Sequence, residues 1–262
     1  MKKKKTLINV ILCALFAALA FTATNVRIPL PSGGMVHLGN FVVVIASLLC
    51  GGIVGGLAGG IGCGLFDLII YSSPTGFVKY FILKFIMGFL VGSLFRLIIK
   101  KKIPLRFNLI EIVLGLVFIV LATLVVVFYI SGSFKLSASI LNKSLYIGIV
   151  AGFGYFFALS LLFLGTIFTR FAKVKKCIIF VVSISVLVNI LLEFIWEYFN
   201  SIYILNLNKD AALINGLSTM PSCILTGVLS VVLSTLVFKS IYQASKKSSI
   251  LTELDIEAYE EV

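Results

Sequence analysis

The chain has 262 residues, 60% of them hydrophobic and 12% charged, with a mean hydropathy of +1.17 and a formal net charge of +12. A soluble globular domain carries about twice that share of charge, so a soluble fold is excluded and a single membrane domain over residues 1–262 is expected. The cations flank apolar runs instead of forming a stripe of their own, which argues against a nucleic-acid partner and for a chain seated in a lipid bilayer.

A bilayer core takes roughly 20 apolar residues per helix. Apolar runs fall at 6–25, 38–50, 53–71, 77–99, 109–130, 145–169, 177–199 and 217–242. They predict an all-α, polytopic helical bundle of about eight transmembrane helices. Lys2–Lys5 followed by the first run has the outline of a signal peptide, with Ala18-Leu-Ala20 as its cleavage site, but the run continues to about Thr24 and reads as a retained helix. Ala14 and Ala18 lie four apart on it, a spacing that lets another helix approach closely. The second run is short and meets the third at Gly51-Gly52, so the two read as one bent hairpin.

With the N-terminus in the cytoplasm and alternating spans, the inner side receives 16 of the 22 basic residues and the outer side five: Arg27, Lys79, Lys135, Lys143 and Lys209. Lys84 falls within a span. That asymmetry places both termini in the cytoplasm. The end of the chain, 243–262, reads as a cytoplasmic tail, and five acids lie between Leu251 and Val262.

Ionisable groups inside spans are costly and mark functional sites by default. The loop from Asn25 to Gly34, with two prolines and a Gly-Gly, is expected to be extended and to cover an outward-opening site. Met35-Val-His-Leu-Gly-Asn40 follows, with His37 and Asn40 at the outer end of the second run. The third run is a glycine ladder ending in Asp67. The fourth reads Lys84-x-x-x-Gly88-x-x-x-Gly92, one face of a helix; Lys84 wants an anionic or hydrogen-bonding partner, and Asp67 is the obvious internal candidate. Runs five and six carry almost no internal charge. In the seventh, Ser185, Asn189, Glu193 and Glu197 recur every four residues beside Trp196, the one tryptophan of the chain. The eighth opens on Asn215-Gly-Leu-Ser-Thr-Met-Pro-Ser222, which offers Ser218 and Ser222 at its outer end.

His37, Asn40, Asp67, Lys84, Asn189, Glu193, Trp196, Ser218 and Ser222 thus fall in the outer half of the membrane. Separate segments delivering polar groups to one depth is what a pocket for a small polar molecule requires. The five cysteines show no metal-ligand spacing, and no phosphate loop or nucleophile–base pair is present. No metal, no cofactor and no catalytic residue is expected.

The Met35–Asn40 segment, the glycine ladder ending in Asp67 and Ile82-Leu-Lys-Phe-Ile-Met-Gly88-Phe-Leu-Val-Gly92 resemble the substrate-binding S components of energy-coupling factor (ECF) vitamin transporters. The Asn189–Glu193 helix and the Asn215–Thr226 segment resemble that family's last two helices, and the alanine-rich first helix resembles its docking face. The resemblance covers roughly 8–99 and 178–240. It implies a six-helix core over 6–99 and 177–242, with 109–169 as an extra helical hairpin. The length of the chain and Asn40, where an aspartate is common in the family, depart from the pattern.

The resemblance further implies a subunit that binds a vitamin or its precursor from outside. Such a subunit joins a transmembrane coupling subunit and two ATP-hydrolysing subunits, docking through Ala14 and Ala18, and tips in the plasma membrane to release its ligand inside. The motifs point to a pyridoxine- or hydroxymethylpyrimidine-like ring, with a riboflavin-like ring also open, stacked on Trp196 or Tyr198. An ion-gradient-driven secondary transporter is the alternative, and it lacks an inverted repeat here. An intramembrane enzyme or a scaffold with purely structural charges are further alternatives; a scaffold predicts that Lys84→Ala and Asp67→Ala misfold.

Overall fold

A computed structural model describes residues 2–30, 34–101 and 173–247, together with positions 115–116, 119–120, 123, 126–127, 151–152 and 155. Its elements are α1 (Lys2–Asn25), β1 (Arg27–Pro29), β2 (Met35–His37), α2 (Gly39–Cys50), α3 (Gly52–Ile70), α4 (Pro74–Lys101), α5 (Lys173–Tyr203) and α6 (Lys209–Lys247). Lipid cannot hydrogen-bond the backbone, so an apolar chain of this composition must satisfy its own peptide groups, and helices do so within each segment. Five of these helices, all but α2, are long and apolar enough to cross a membrane. An all-α membrane bundle is what the composition predicted.

The helix count and several boundaries differ from the sequence expectation. The runs at 109–130 and 145–169, and the tail beyond 247, lie outside the described residues apart from the isolated positions above. Helix α4 begins at Pro74, not at 77, and α6 begins at Lys209, well before 217. The second shift has a local cause. The Asn208 side-chain oxygen accepts the Ala211 N–H at 2.8 Å, capping the helix there, and the helix runs on through Pro221.

Helix α2, at about 1.5 Å per residue, is too short to span, and ten of its 12 residues are buried. It runs into the bundle, turns at Gly51 and returns as α3. Gly51 sits at φ +93, a backbone region that only glycine takes without strain. The sequence reading of a bent hairpin describes this geometry.

The glycine ladder is two-sided. On one side, Gly52, Gly56, Gly60 and Gly64 of α3 meet Phe89, Phe85, Phe81 and Phe77 of α4. The four rings stack along α4 at centroid spacings of 6.0–6.5 Å. On the other side, Gly55 and Gly59 receive Ser47 and Val43 of α2, and Gly62 receives Ala17 and Ala20 of α1. Apolar attraction cannot assemble helices in lipid, so close packing at small residues does. Gly88 and Gly92 of α4 press directly on the backbone of Gly56 and of Gly51-Gly52. The face that carries Lys84 is therefore turned inward.

Away from the β-hairpin the described residues pack a mainly apolar core. Val91, Phe95, Ile98 and Ile99 of α4 pack with Cys177, Ile178, Val181 and Val182 of α5, and with Phe238 and Tyr242 of α6. Phe95 and Phe238 meet edge to face at 5.5 Å. Helix α1 is attached by Ala17, Ala20 and Thr24, while Leu7, Val10, Ile11, Leu15 and Leu19 stay exposed.

Candidate functional site

The short antiparallel pair β1–β2, with Arg27 opposite His37 and Pro29 opposite Met35, lies across one end of the bundle. Arg27 holds it there: its guanidinium stands 4.9 Å from the Phe66 ring and 5.1 Å from the Tyr71 ring, both at the end of α3. The Tyr71 hydroxyl reaches Met35 Sδ at 3.8 Å, and Gly34 rests against Ser222 of α6. Beneath the hairpin is a cavity of about 350 Å³, within the size range of small-molecule sites.

The hairpin and five helices line it. Hairpin and α2 bring His37 and Asn40, α3 brings Asp67, and α4 brings Lys79, Tyr80 and Lys84. Helix α5 brings Asn189, Glu193 and Glu197, and α6 brings Thr219, Ser222, Cys223 and Thr226 at helical spacing. Seven of the nine residues singled out from the sequence therefore surround one space: His37, Asn40, Asp67, Lys84, Asn189, Glu193 and Ser222. The other two do not. Trp196 is half-buried outside the lining. It lies three residues from Glu193, which turns it about 60° off that face of the helix. Ser218 is off the lining too, and its hydroxyl donates to the Asn215 carbonyl at 2.7 Å.

The charge pairing differs from the Asp67–Lys84 candidate. Lys84 Nζ donates to Asn189 Oδ1 at 3.3 Å, and no ion pair joins Lys84 to Asp67 among the described residues. The cation that pairs is Lys79, which the sequence reading counts only as an outer-side charge. It is buried, and its Nζ lies 2.8 Å from Glu193 Oε1 and 2.6 Å from Glu197 Oε1. Because α4 starts at Pro74 and not at 77, Lys79 sits five residues into the helix instead of two. The Tyr80 ring takes both ammonium groups, Lys79 at 4.6 Å and Lys84 at 5.4 Å. Arg27, Tyr71, Lys79, Tyr80, Thr219, Cys223 and Thr226 were not singled out in the sequence as site residues. Only Lys79 left a signal there, as a cation two residues inside an apolar run.

Two acceptors on lining residues are buried and have no hydrogen-bond partner among the described residues: Asn40 Oδ1 and Glu193 Oε2. Buried polar atoms in folded proteins are almost always paired. The His37 imidazole is pushed down to about 3, chiefly by burial and further by Lys84, with Glu193 opposing. It is neutral, and its Nδ1 accepts the Gly39 N–H at 3.1 Å.

The family model for the ECF-type riboflavin transporter S component matches residues 4–159. The chain belongs to this family. S components are membrane-embedded binding subunits of vitamin transporters, so this chain is a multi-pass membrane protein of vitamin uptake. No curated protein and no solved structure matches it. The match takes in the hairpin, α2, α3 and α4, and continues across 109–130 into 145–169. The parts of the cavity supplied by α5 and α6 lie beyond it. The two alanines read as a docking face, Ala14 and Ala18, are exposed on the side of α1 turned away from Ala17 and Ala20.

Proposed function

We propose that this S component is the substrate-binding subunit of an ECF-type ABC importer and captures a neutral, hydroxyl-bearing heteroaromatic vitamin from outside. The observation that carries the reading is the balance of charge around the cavity. Arg27, Lys79 and Lys84 face Asp67, Glu193 and Glu197, three cations against three anions, with His37 neutral. A lining with no net charge suits an uncharged ligand rich in hydrogen-bonding groups, and it disfavours a phosphate ester, whose added negative charge would go uncompensated in a desolvated site.

Membership of a riboflavin-transporter family makes riboflavin the first candidate, ahead of the pyridine and pyrimidine rings that the motifs alone favour. Asn40, Glu193, Asn189 and Lys84 would bond its ring heteroatoms or hydroxyls, with Asp67, His37 and Ser222 completing the wall. The lysine-rich bundle end opposite the hairpin supports an outward-facing cavity. The open alanine face of α1 suits docking onto the coupling subunit, and ATP hydrolysis would belong to the two partner ATPases. The six-helix core with 109–169 as an extra hairpin belongs to the same proposal.

Mass spectrometry of small molecules carried through purification in detergent tests this. A heteroaromatic vitamin held at about one per chain is expected. Lys84→Met should weaken its binding by about 10- to 100-fold, since hydrogen bonds to a charged group are lost, while the melting temperature stays near that of the unaltered chain. Uptake into proteoliposomes by this chain alone, driven by an imposed ion gradient, would overturn the reading.

A further inference from the structure

We propose that Lys79 is a positioning residue for ligand recognition: it anchors one oxygen of Glu193, so that the other stands as a fixed acceptor for an N–H of the ligand ring. The inference rests on the flavin reading above and asks which protein atom selects the ring.

Glu193 and Glu197 lie one turn apart on α5, so their carboxylates share a face and repel. Lys79 reaches between them from α4 and engages Oε1 of each, at 2.8 Å and 2.6 Å. This occupies one edge of the Glu193 carboxylate and leaves Oε2 buried and, among the described residues, without a donor, on a side chain that lines the cavity. An ionised carboxylate can only accept, so whatever satisfies Oε2 must bring a hydrogen. Lys84, which gives one bond to Asn189, has further hydrogens for an adjacent ring carbonyl. An acceptor beside a donor matches an imide edge, N–H next to C=O, and a flavin ring carries one such N–H between two carbonyls. Asn40 Oδ1, the second orphaned acceptor, is then available to a hydroxyl of the side chain. Without Lys79, Glu193 would be free to turn toward Lys84, and the fixed acceptor would be lost.

The test is equilibrium binding, in detergent, of riboflavin and of its analogue methylated at the imide nitrogen, with a melting curve for each variant. A site built around a buried hydrogen bond rejects a ligand that cannot make it by large factors. The unaltered chain should prefer riboflavin by at least about 100-fold. Lys79→Arg should keep most of that preference, and Lys79→Met should reduce it below about tenfold. Glu193→Gln is the second variant should Lys79→Met fail to fold. It is isosteric and puts an N–H where the acceptor was, so riboflavin should weaken about 100-fold while the methylated analogue changes little. Equal affinity for the two ligands in the unaltered chain, or full preference in folded Lys79→Met, overturns the role of Lys79 and Glu193 and leaves a flavin site standing. No riboflavin binding to the unaltered chain overturns the flavin reading itself, and this assignment with it.

Discussion

At the hairpin end of the bundle, α4 turns Lys79, Tyr80 and Lys84 inward, and α5 answers with Asn189 and Glu193. Further along the same two helices, the inward residues are Val91, Phe95 and Ile98, against Cys177, Ile178 and Val181. One end holds charges around a cavity. The other is close-packed, and its helices touch at glycine backbone. The difference separates two tasks. Contacts at Gly88 and Gly92 fix the register of α3 against α4 and hold the bundle together. The cavity end is thereby free to carry buried ionisable groups, one of which, Glu193, keeps an oxygen with no donor among the described residues.

The sharpest way to break that division is to fill the glycine seam. A Cβ at Gly92 would run into the backbone of Gly51 and Gly52, which has no side chain to move aside. Gly92→Leu should cost at least the 1–3 kcal/mol or so typical of overpacking, and the detergent-solubilised protein should lose its cooperative melt and its ligand together. A folded Gly92→Leu chain that melts normally would show that the apolar end does not hold the register.

The sequence made these two regions legible to different degrees. Asp67, Lys84 and Glu193 stand out because each ionisable group interrupts an apolar run, and the cost of placing it in lipid needs a reason. The glycine ladder was equally plain, and tight packing was its natural meaning. Pairing was not legible. Which cation meets which anion depends on the rotation and depth of α4 against α5, and neither is encoded in the spacing along one helix. Lys79 counts in the sequence only as an outer-side charge, two residues inside the run that begins at 77, whereas the helix begins at Pro74 and carries it more than a turn in. Arg27 was counted only as an outer-side charge, since its use, bracing the hairpin on Phe66 and Tyr71, depends on residues far away in the chain.

A smaller effect sharpens the comparison at the hairpin. His37 has a folded-state value of about 3, against about 6.5 in an unfolded chain. The unfolded state therefore takes the proton first. The stability linked to His37 is complete above pH 6.5 and declines as pH falls from there toward 3. A one-proton difference gives up to about 2 kcal/mol between pH 6.5 and pH 5. Melting curves at pH 7.5 and pH 5 should show a larger loss for the unaltered chain than for His37→Gln, which has nothing to titrate there. Equal losses in both would mean that the imidazole is solvated, and that the hairpin does not seal the cavity.

The smallest effect is expected at Trp196, where residue type and position suggest different roles. An aromatic side chain beside a row of polar residues has the look of a stacking platform for a heteroaromatic ring. On α5, however, Asn189 and Glu193 define the inward face, and the tryptophan is rotated off it, half-buried and outside the lining. An indole so placed suits the membrane–water interface, where tryptophan is common for reasons unconnected with any ligand. Trp196→Phe should therefore leave vitamin affinity within about twofold, and the melting temperature nearly unchanged, because surface substitutions away from special features stay within about 0.5 kcal/mol. A tenfold loss of affinity would require α5 to rotate when the ligand enters, bringing Trp196 to the cavity and carrying Glu193 away from Lys79. The charged end would then be a moving part, not a prearranged one.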